Sequence, residues 1–60
     1  MCLATVYKSD DNAVLFRNVG RIDVEGDTVY VRDIIGDVKE VKGSVVMVDF
    51  ANSAVKIKCD

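Results

Sequence analysis

The stretch RIDVEGDTVYVR, from Arg21 to Arg32, decides the fold class of this chain. Apolar side chains occupy every second position on both sides of its Gly26-Asp27 pair: Ile22, Val24, Val29 and Val31. Strict alternation is typical of a strand with one buried and one solvated face, and glycine and aspartate are favoured in turns. The stretch therefore predicts two strands joined by a short turn.

The rest of the chain follows the same pattern. Valine occurs twelve times and isoleucine four times in 60 residues, and β-branched side chains favour sheets. Strands are predicted over residues 2–8, 13–17, 19–25, 28–34, 37–42, 44–50 and 54–58. The connections are too short for a crossover helix, so we expect one all-β domain over residues 1–60, a small, strongly bent antiparallel barrel of six or seven short strands.

Two runs depart from simple alternation. Val38 and Val41 lie three positions apart, which predicts a bulge within residues 37–42. Residues 45–48 read Val-Val-Met-Val and are apolar on both faces of a strand. We therefore expect another strand or a second subunit to cover the outer face of this strand.

Length and charge narrow the possible functions. The chain has no histidine, which removes the usual proton shuttle at neutral pH and argues against an enzyme. Eight basic residues are dispersed among ten acidic ones, which argues against a nucleic-acid partner. No signal peptide or membrane span is evident, so a reducing cytoplasm is expected. A core this small also predicts stabilisation by oligomerisation.

Cys2 is the most distinctive residue chemically. Removal of Met1 would leave a free amine on the residue that bears the thiol, and the two donors form a five-membered chelate ring on a metal. A two-fold dimer would supply two nitrogens and two sulfurs, a donor set that suits Ni(II) or Cu(II) better than zinc, with one metal per dimer. On spacing alone, Cys2 is better explained as a small buried apolar residue that opens the first strand.

The second cysteine, Cys59, shares parity with Val55 and Ile57 and is expected to point inward. Its position predicts an apolar residue or a thiol in the chain's tail, at the end of the last strand, rather than a metal ligand. Pairing of Cys2 with Cys59 requires the first and last strands to be neighbours, and a cytoplasmic protein would keep such a pair reduced.

The order of residues resembles the CooT family of small nickel-binding proteins, which is linked to maturation of carbon monoxide dehydrogenase. The resemblance begins with Met-Cys-x-Ala and covers nearly the whole length. The segments that carry it are Met1-Cys2-Leu3-Ala4, Val6-Tyr7, Asn18-Val19 through Ile22, Val24-Glu25-Gly26-Asp27, Val29-Tyr30-Val31-Arg32-Asp33-Ile34, Gly36-Asp37-Val38-Lys39-Glu40-Val41, Val48-Asp49-Phe50 and Val55-Lys56-Ile57. HypC-type proteins share the opening Met-Cys-Leu-Ala, but they continue with Pro-Gly-Lys, and this chain has no proline.

The resemblance implies a homodimeric β-barrel that binds Ni(II) through Cys2. It further implies an accessory role, a metallochaperone that delivers or buffers nickel for a nickel enzyme such as carbon monoxide dehydrogenase, with that enzyme or its maturation factors as partners. Many similar sequences carry a histidine in the last turn, where this chain reads Asn52-Ser53. An auxiliary ligand in that turn is therefore not expected here.

The alternative function is a small RNA-binding or protein-interaction barrel without metal. Aromatic side chains on such barrels can stack on single-stranded bases. We instead expect Phe16 and Phe50 to lie in the core, while Tyr30 has the parity of an outward-facing residue.

The remaining charged residues have simple structural explanations. A hard-cation site needs grouped carboxylates, but the spacing of the acidic pairs matches turn sequences better than a calcium loop. These acidic residues are Asp10, Asp11, Asp33 and Asp37. The lysines are expected on solvated outer faces, where they discourage unwanted strand pairing; they are Lys39, Lys42, Lys56 and Lys58.

Overall fold

A computed structural model describes residues 3–60 as five strands and no helix. The strands are β1 (Ala4–Lys8), β2 (Val14–Glu25), β3 (Thr28–Asp33), β4 (Val38–Asp49) and β5 (Ala54–Cys59). β2 and β4 are twelve residues long, twice the length of β3 and β5. The all-β class expected from the alternation is confirmed.

The five strands close into a barrel in sequence order. Successive strands pair antiparallel, and the ring closes through a parallel pairing between β1 and β5. The expectation of six or seven strands was wrong in number, and the closing pair is not antiparallel. The number differs because two expected strand breaks are bends within continuous strands, and the closing pair is parallel because a ring of an odd number of successive antiparallel strands brings its first and last strands together in the same direction.

The first bend lies in the middle of β2. Val19 is opposite Ala4 of β1 on one edge and opposite Asp33 of β3 on the other. The first half of β2 therefore pairs with β1, and the second half pairs with β3. Asn18, with φ of 56°, turns the backbone at this point. Asparagine tolerates this left-handed conformation better than most residues, which lets the strand bend without ending.

The second bend lies in β4. Lys42 is the last residue opposite β3, and Gly43 is the first residue opposite β5, where it faces Cys59. The break expected between the strands 37–42 and 44–50 is instead this change of partner. Gly43 has φ of 152°, and a Cβ there would overlap the carbonyl oxygen of Lys58. Only glycine permits so close an approach of the two backbones.

The bulge expected within residues 37–42 is absent, because β4 pairs regularly with β3 from Val38 to Lys42. Val41 lies opposite Val29 and packs against the core, whereas Val38 faces outward and is 49% exposed. The two valines occupy opposite faces without a bulge because Val38 tolerates exposure at the strand end. An irregularity in β4 lies further along the strand, between Val45 and Met47.

The core is small and aliphatic. It comprises Val6, Val19, Val29, Val31, Val55 and Ile57, contributed by four of the five strands. Phe16 packs against this cluster, as expected, and so does Cys59, whose parity predicted an inward direction. The one buried polar residue among those described is Thr28, whose hydroxyl accepts a hydrogen bond of 3.2 Å from the Lys42 ammonium.

The prediction that Phe50 belongs to the core was wrong. Phe50 is 90% exposed, the most exposed of the large apolar residues in the described part of the chain. β4 ends at Asp49, so Phe50 is the first residue of the following turn and loses the alternation that would have directed it inward.

Substitution of Gly43 by alanine will destabilise the barrel because the added methyl overlaps the Lys58 carbonyl. Overpacking of this kind typically costs about 1–3 kcal/mol. Gly20→Ala is the matched control, because an added Cβ at Gly20 meets nothing within 4 Å. Urea unfolding followed by circular dichroism measures both variants, and equal midpoints for the two would contradict the close-approach role of Gly43.

Candidate functional site

An apolar groove opens where β1 begins. Ala4, the first residue of β1, lines the groove, and the preceding Leu3 is half-buried. β2 continues past Ala4 along one side of the groove, while the β4–β5 hairpin forms the other side. The groove therefore lies next to the entry of the chain into the barrel.

The lining of the groove is mainly aliphatic. Its volume is about 570 Å³, and its floor includes the core residues Val19 and Val55. Val24, Val48 and Phe50 stand on its walls and are 58%, 49% and 90% exposed. Exposed apolar surface that clusters around one concavity is typical of a binding or association site.

Two charged groups also line this groove. Arg21 is held by Asp23 of the same strand through its Nε, at 3.0 Å from Oδ2. Both side chains are more than half exposed, so this ion pair contributes little to stability. Asp49 lines the groove on the opposite side, at the end of β4.

The Asp49 carboxylate organises the turn between β4 and β5. Its Oδ1 accepts hydrogen bonds from the backbone N–H groups of Ala51 at 3.0 Å and Asn52 at 3.2 Å. Its Oδ2 accepts a 2.9 Å bond from the Asn52 side-chain amide. The Asn52 side chain is the largest influence that holds the pKa of Asp49 below its ordinary value of 3.8, followed by its backbone N–H.

The lowered pKa of Asp49 predicts a specific acid sensitivity. As the pH falls below 3.8, the unfolded chain takes up this proton before the folded protein does, so folding loses a contribution that is present at neutral pH. Melting temperatures of the wild type and of Asp49→Asn, measured from pH 7 downward, should differ most near neutrality and converge in acid. A difference in melting temperature between the two proteins that is the same at every pH would contradict the lowered pKa of Asp49.

Cys2 lies outside the described residues 3–60. Leu3, the first described residue, directly precedes Ala4 on the lining of the groove. Cys59 is half-buried and lies two positions beyond Ile57, the residue opposite Lys8 in the parallel β1–β5 pair.

The parallel pairing separates the two ends of β1 and β5. Leu3 precedes Thr5, which is opposite Ala54, and Cys59 follows five positions after Ala54. At about 3.3 Å per residue, Leu3 and Cys59 are on the order of 20 Å apart along the strands. β1 and β5 are neighbours, as a Cys2–Cys59 pair requires, but Cys2 itself lies outside the described residues.

The carboxylates singled out as turn residues perform that role. Asp11 accepts a 3.0 Å hydrogen bond from the backbone N–H of Ala13, and Asp33 accepts bonds from Ile35 and Asp37 at 3.0 and 3.1 Å. Within residues 3–60, no three histidine, cysteine, aspartate or glutamate side chains are grouped so as to hold a metal ion.

Tyr30 lies between two carboxylates. Its register partners are Asp23 on β2 and Glu40 on β4, both exposed, so this row faces outward as its parity predicted. Asp23 is paired with Arg21, so the Glu40 carboxylate is the flanking negative charge that opposes the approach of a phosphate backbone to the ring. Of the four lysines expected on outer faces, Lys39, Lys42 and Lys58 are exposed and Lys56 is half-buried.

The groove and the role of the Asp49 side chain in the last turn were not found from the sequence. Asp49-Phe50-Ala51-Asn52 has the aspartate and small residues of a side-chain-capped turn, a signal that would have excluded Phe50 from the core. The groove has no such local signal, because its walls come from β2 and from a hairpin that begins 21 or more residues later in the chain.

The family model of the CO dehydrogenase accessory protein CooT matches residues 1–58, almost the full length of the chain. The chain belongs to the CooT family. A search of curated proteins gave no match. Membership of CooT assigns the chain to a family of accessory proteins and is consistent with a role in maturation of carbon monoxide dehydrogenase.

Membership of CooT also agrees with the resemblance drawn from the opening Met-Cys-x-Ala and the segments that follow it. The accessory character of the family suggests a role other than catalysis. Residues 3–60 include no helix that is long and apolar enough to cross a bilayer.

Proposed function

We propose that this protein is a nickel-binding accessory protein that delivers or buffers Ni(II) for a nickel enzyme of the carbon monoxide dehydrogenase type. Ni(II) is its cargo, and the thiolate and terminal amine of Cys2 are the donors. The proposal is supported by the family match over residues 1–58 and by the entry of the chain beside an exposed groove.

The donor chemistry suits a carrier of metal. Thiolate and amine of one residue close a five-membered ring, and two such chelates provide the four donors of a square-planar Ni(II) site. A site at a chain end can exchange its metal more readily than one enclosed by a fold, because few donors must dissociate before a client binds the ion. Cytoplasmic location, with the thiol kept reduced, belongs to the same proposal.

The proposed carrier is a symmetric homodimer that associates across the groove. Val24, Val48 and Phe50 expose apolar surface on the groove walls, and burial of apolar surface stabilises association by about 25 cal/mol per Å². In a two-fold interface the same surface of both copies is in contact. Because the chain enters beside the groove, such a dimer would bring the two Cys2 residues towards one ion.

Anaerobic titration of the reduced, Met1-processed protein with Ni(II) tests the ligand assignment. We expect thiolate-to-nickel absorption bands that saturate at one metal per two chains, since each chain supplies two donors. Cys2→Ser should abolish these bands. Cys59→Ser is the matched control and should retain them, because Cys59 lies at the far end of β5 from the entry of the chain.

Bands that survive in Cys2→Ser, or disappear equally in both variants, would contradict the assignment. A wild-type protein that binds no nickel, and that binds a single-stranded RNA instead, would favour the alternative of a metal-free binding module.

Sedimentation equilibrium tests the dimer. Val48→Asp places a charge on the wall of the groove and should raise the dimer dissociation constant at least about tenfold, because the buried carboxylate would lose hydration. Ile35→Asp is the control, since Ile35 is 78% exposed in the β3–β4 turn and does not line the groove. A monomeric wild type at micromolar and higher concentrations would refute the dimer, and a dimeric Val48→Asp would refute this interface.

A further inference from the structure

The Asp49 turn is linked by hydrogen bonds to the start of β1. The residue that ends the turn, Ser53, accepts a 2.9 Å hydrogen bond at its carbonyl oxygen from the backbone N–H of Thr5. Thr5 is also opposite Ala54, the first residue of β5. The geometry of the turn thus sets where the first strand begins.

Ser53 holds this position in an unfavourable backbone conformation. Its φ is 52°, in the left-handed region, where a residue with a Cβ is destabilised by roughly 1–2 kcal/mol. Such a conformation persists only when neighbouring interactions hold it in place. Here these interactions are the hydrogen bonds that Ala51 and Asn52, the two residues before Ser53, donate to the Asp49 carboxylate.

The Asp49 carboxylate itself is occupied by these bonds. Three hydrogen bonds from the turn occupy three of the roughly four lone-pair sites of this carboxylate. The effect on the start of the chain that the turn geometry supports is one that runs through the backbone. Cys2 precedes Thr5 by three residues in the sequence.

We propose that Asp49 is a positioning residue for the metal site at the chain terminus. By fixing Ser53, it anchors Thr5, which follows Cys2 by three residues in the sequence. Anchoring before the metal arrives lowers the entropic cost of bringing two chelates to one ion. This inference rests on the proposed function. It adds Asp49 as a residue that acts on the metal site through the backbone of Ser53 and Thr5.

Nickel titration of three variants tests the role of Asp49, with the thiolate-to-nickel bands as readout. Asp49→Ala should bind Ni(II) about tenfold more weakly, which corresponds to about 1.4 kcal/mol, while the position of the bands stays unchanged. Adding Ser53→Gly to Asp49→Ala should restore most of the affinity, because glycine adopts the left-handed conformation without the support of the carboxylate.

The control is Asp33→Ala, which also removes a carboxylate that accepts two backbone hydrogen bonds in a turn, but in the β3–β4 turn. It should bind nickel within about twofold of the wild type. Asp49→Asn, which retains one acceptor oxygen, should be intermediate and replaces Asp49→Ala if that variant fails to fold.

Three results would overturn the positioning role: wild-type affinity in Asp49→Ala, an equal loss in Asp33→Ala, or no rescue by Ser53→Gly. The last would mean that the carboxylate acts on the metal directly. Nickel binding that is indifferent to Cys2→Ser would overturn the proposed function as well, whereas the three results above leave a Cys2 site intact.

Discussion

The change of partner halfway along β2 and β4 is the constraint on which the rest of the structure depends. At Val19 and at Gly43, one strand leaves its first neighbour and pairs with the next. Each long strand thereby belongs to two parts of the barrel wall, which lets five strands surround a core of six buried aliphatic side chains. The backbone contact between Gly43 and Lys58 leaves no room for a side chain at that point.

The same change of partner creates the groove. β2 continues beyond the start of β1, so the wall of the barrel is thin between β2 and the β4–β5 hairpin. Valines that would be covered in a longer β1 remain exposed there. The apolar groove and the entry of the chain therefore have one structural origin, and the proposed dimer would use both.

The turns at the two ends of the barrel show how carboxylates replace backbone partners. Asp33 and Asp49 each accept two backbone hydrogen bonds from the residues that follow a strand. Such bonds satisfy N–H groups that have no strand partner and hold a turn in one conformation. At Asp49 the turn also connects, through Ser53, to Thr5 and hence to the part of the chain that carries the proposed ligand.

Alternation of valine with polar residues was sufficient to predict the all-β class, the hairpin around Gly26 and the inward direction of Cys59, because side-chain parity is a local property of a strand. The family was also recognisable from residue order. The number of strands, the parallel closure between β1 and β5, the exposure of Phe50 and the groove were decided by tertiary structure. Each of these features depends on which strand, distant in the sequence, a residue pairs with. Neither the periodicity nor the composition of the sequence predicts that pairing.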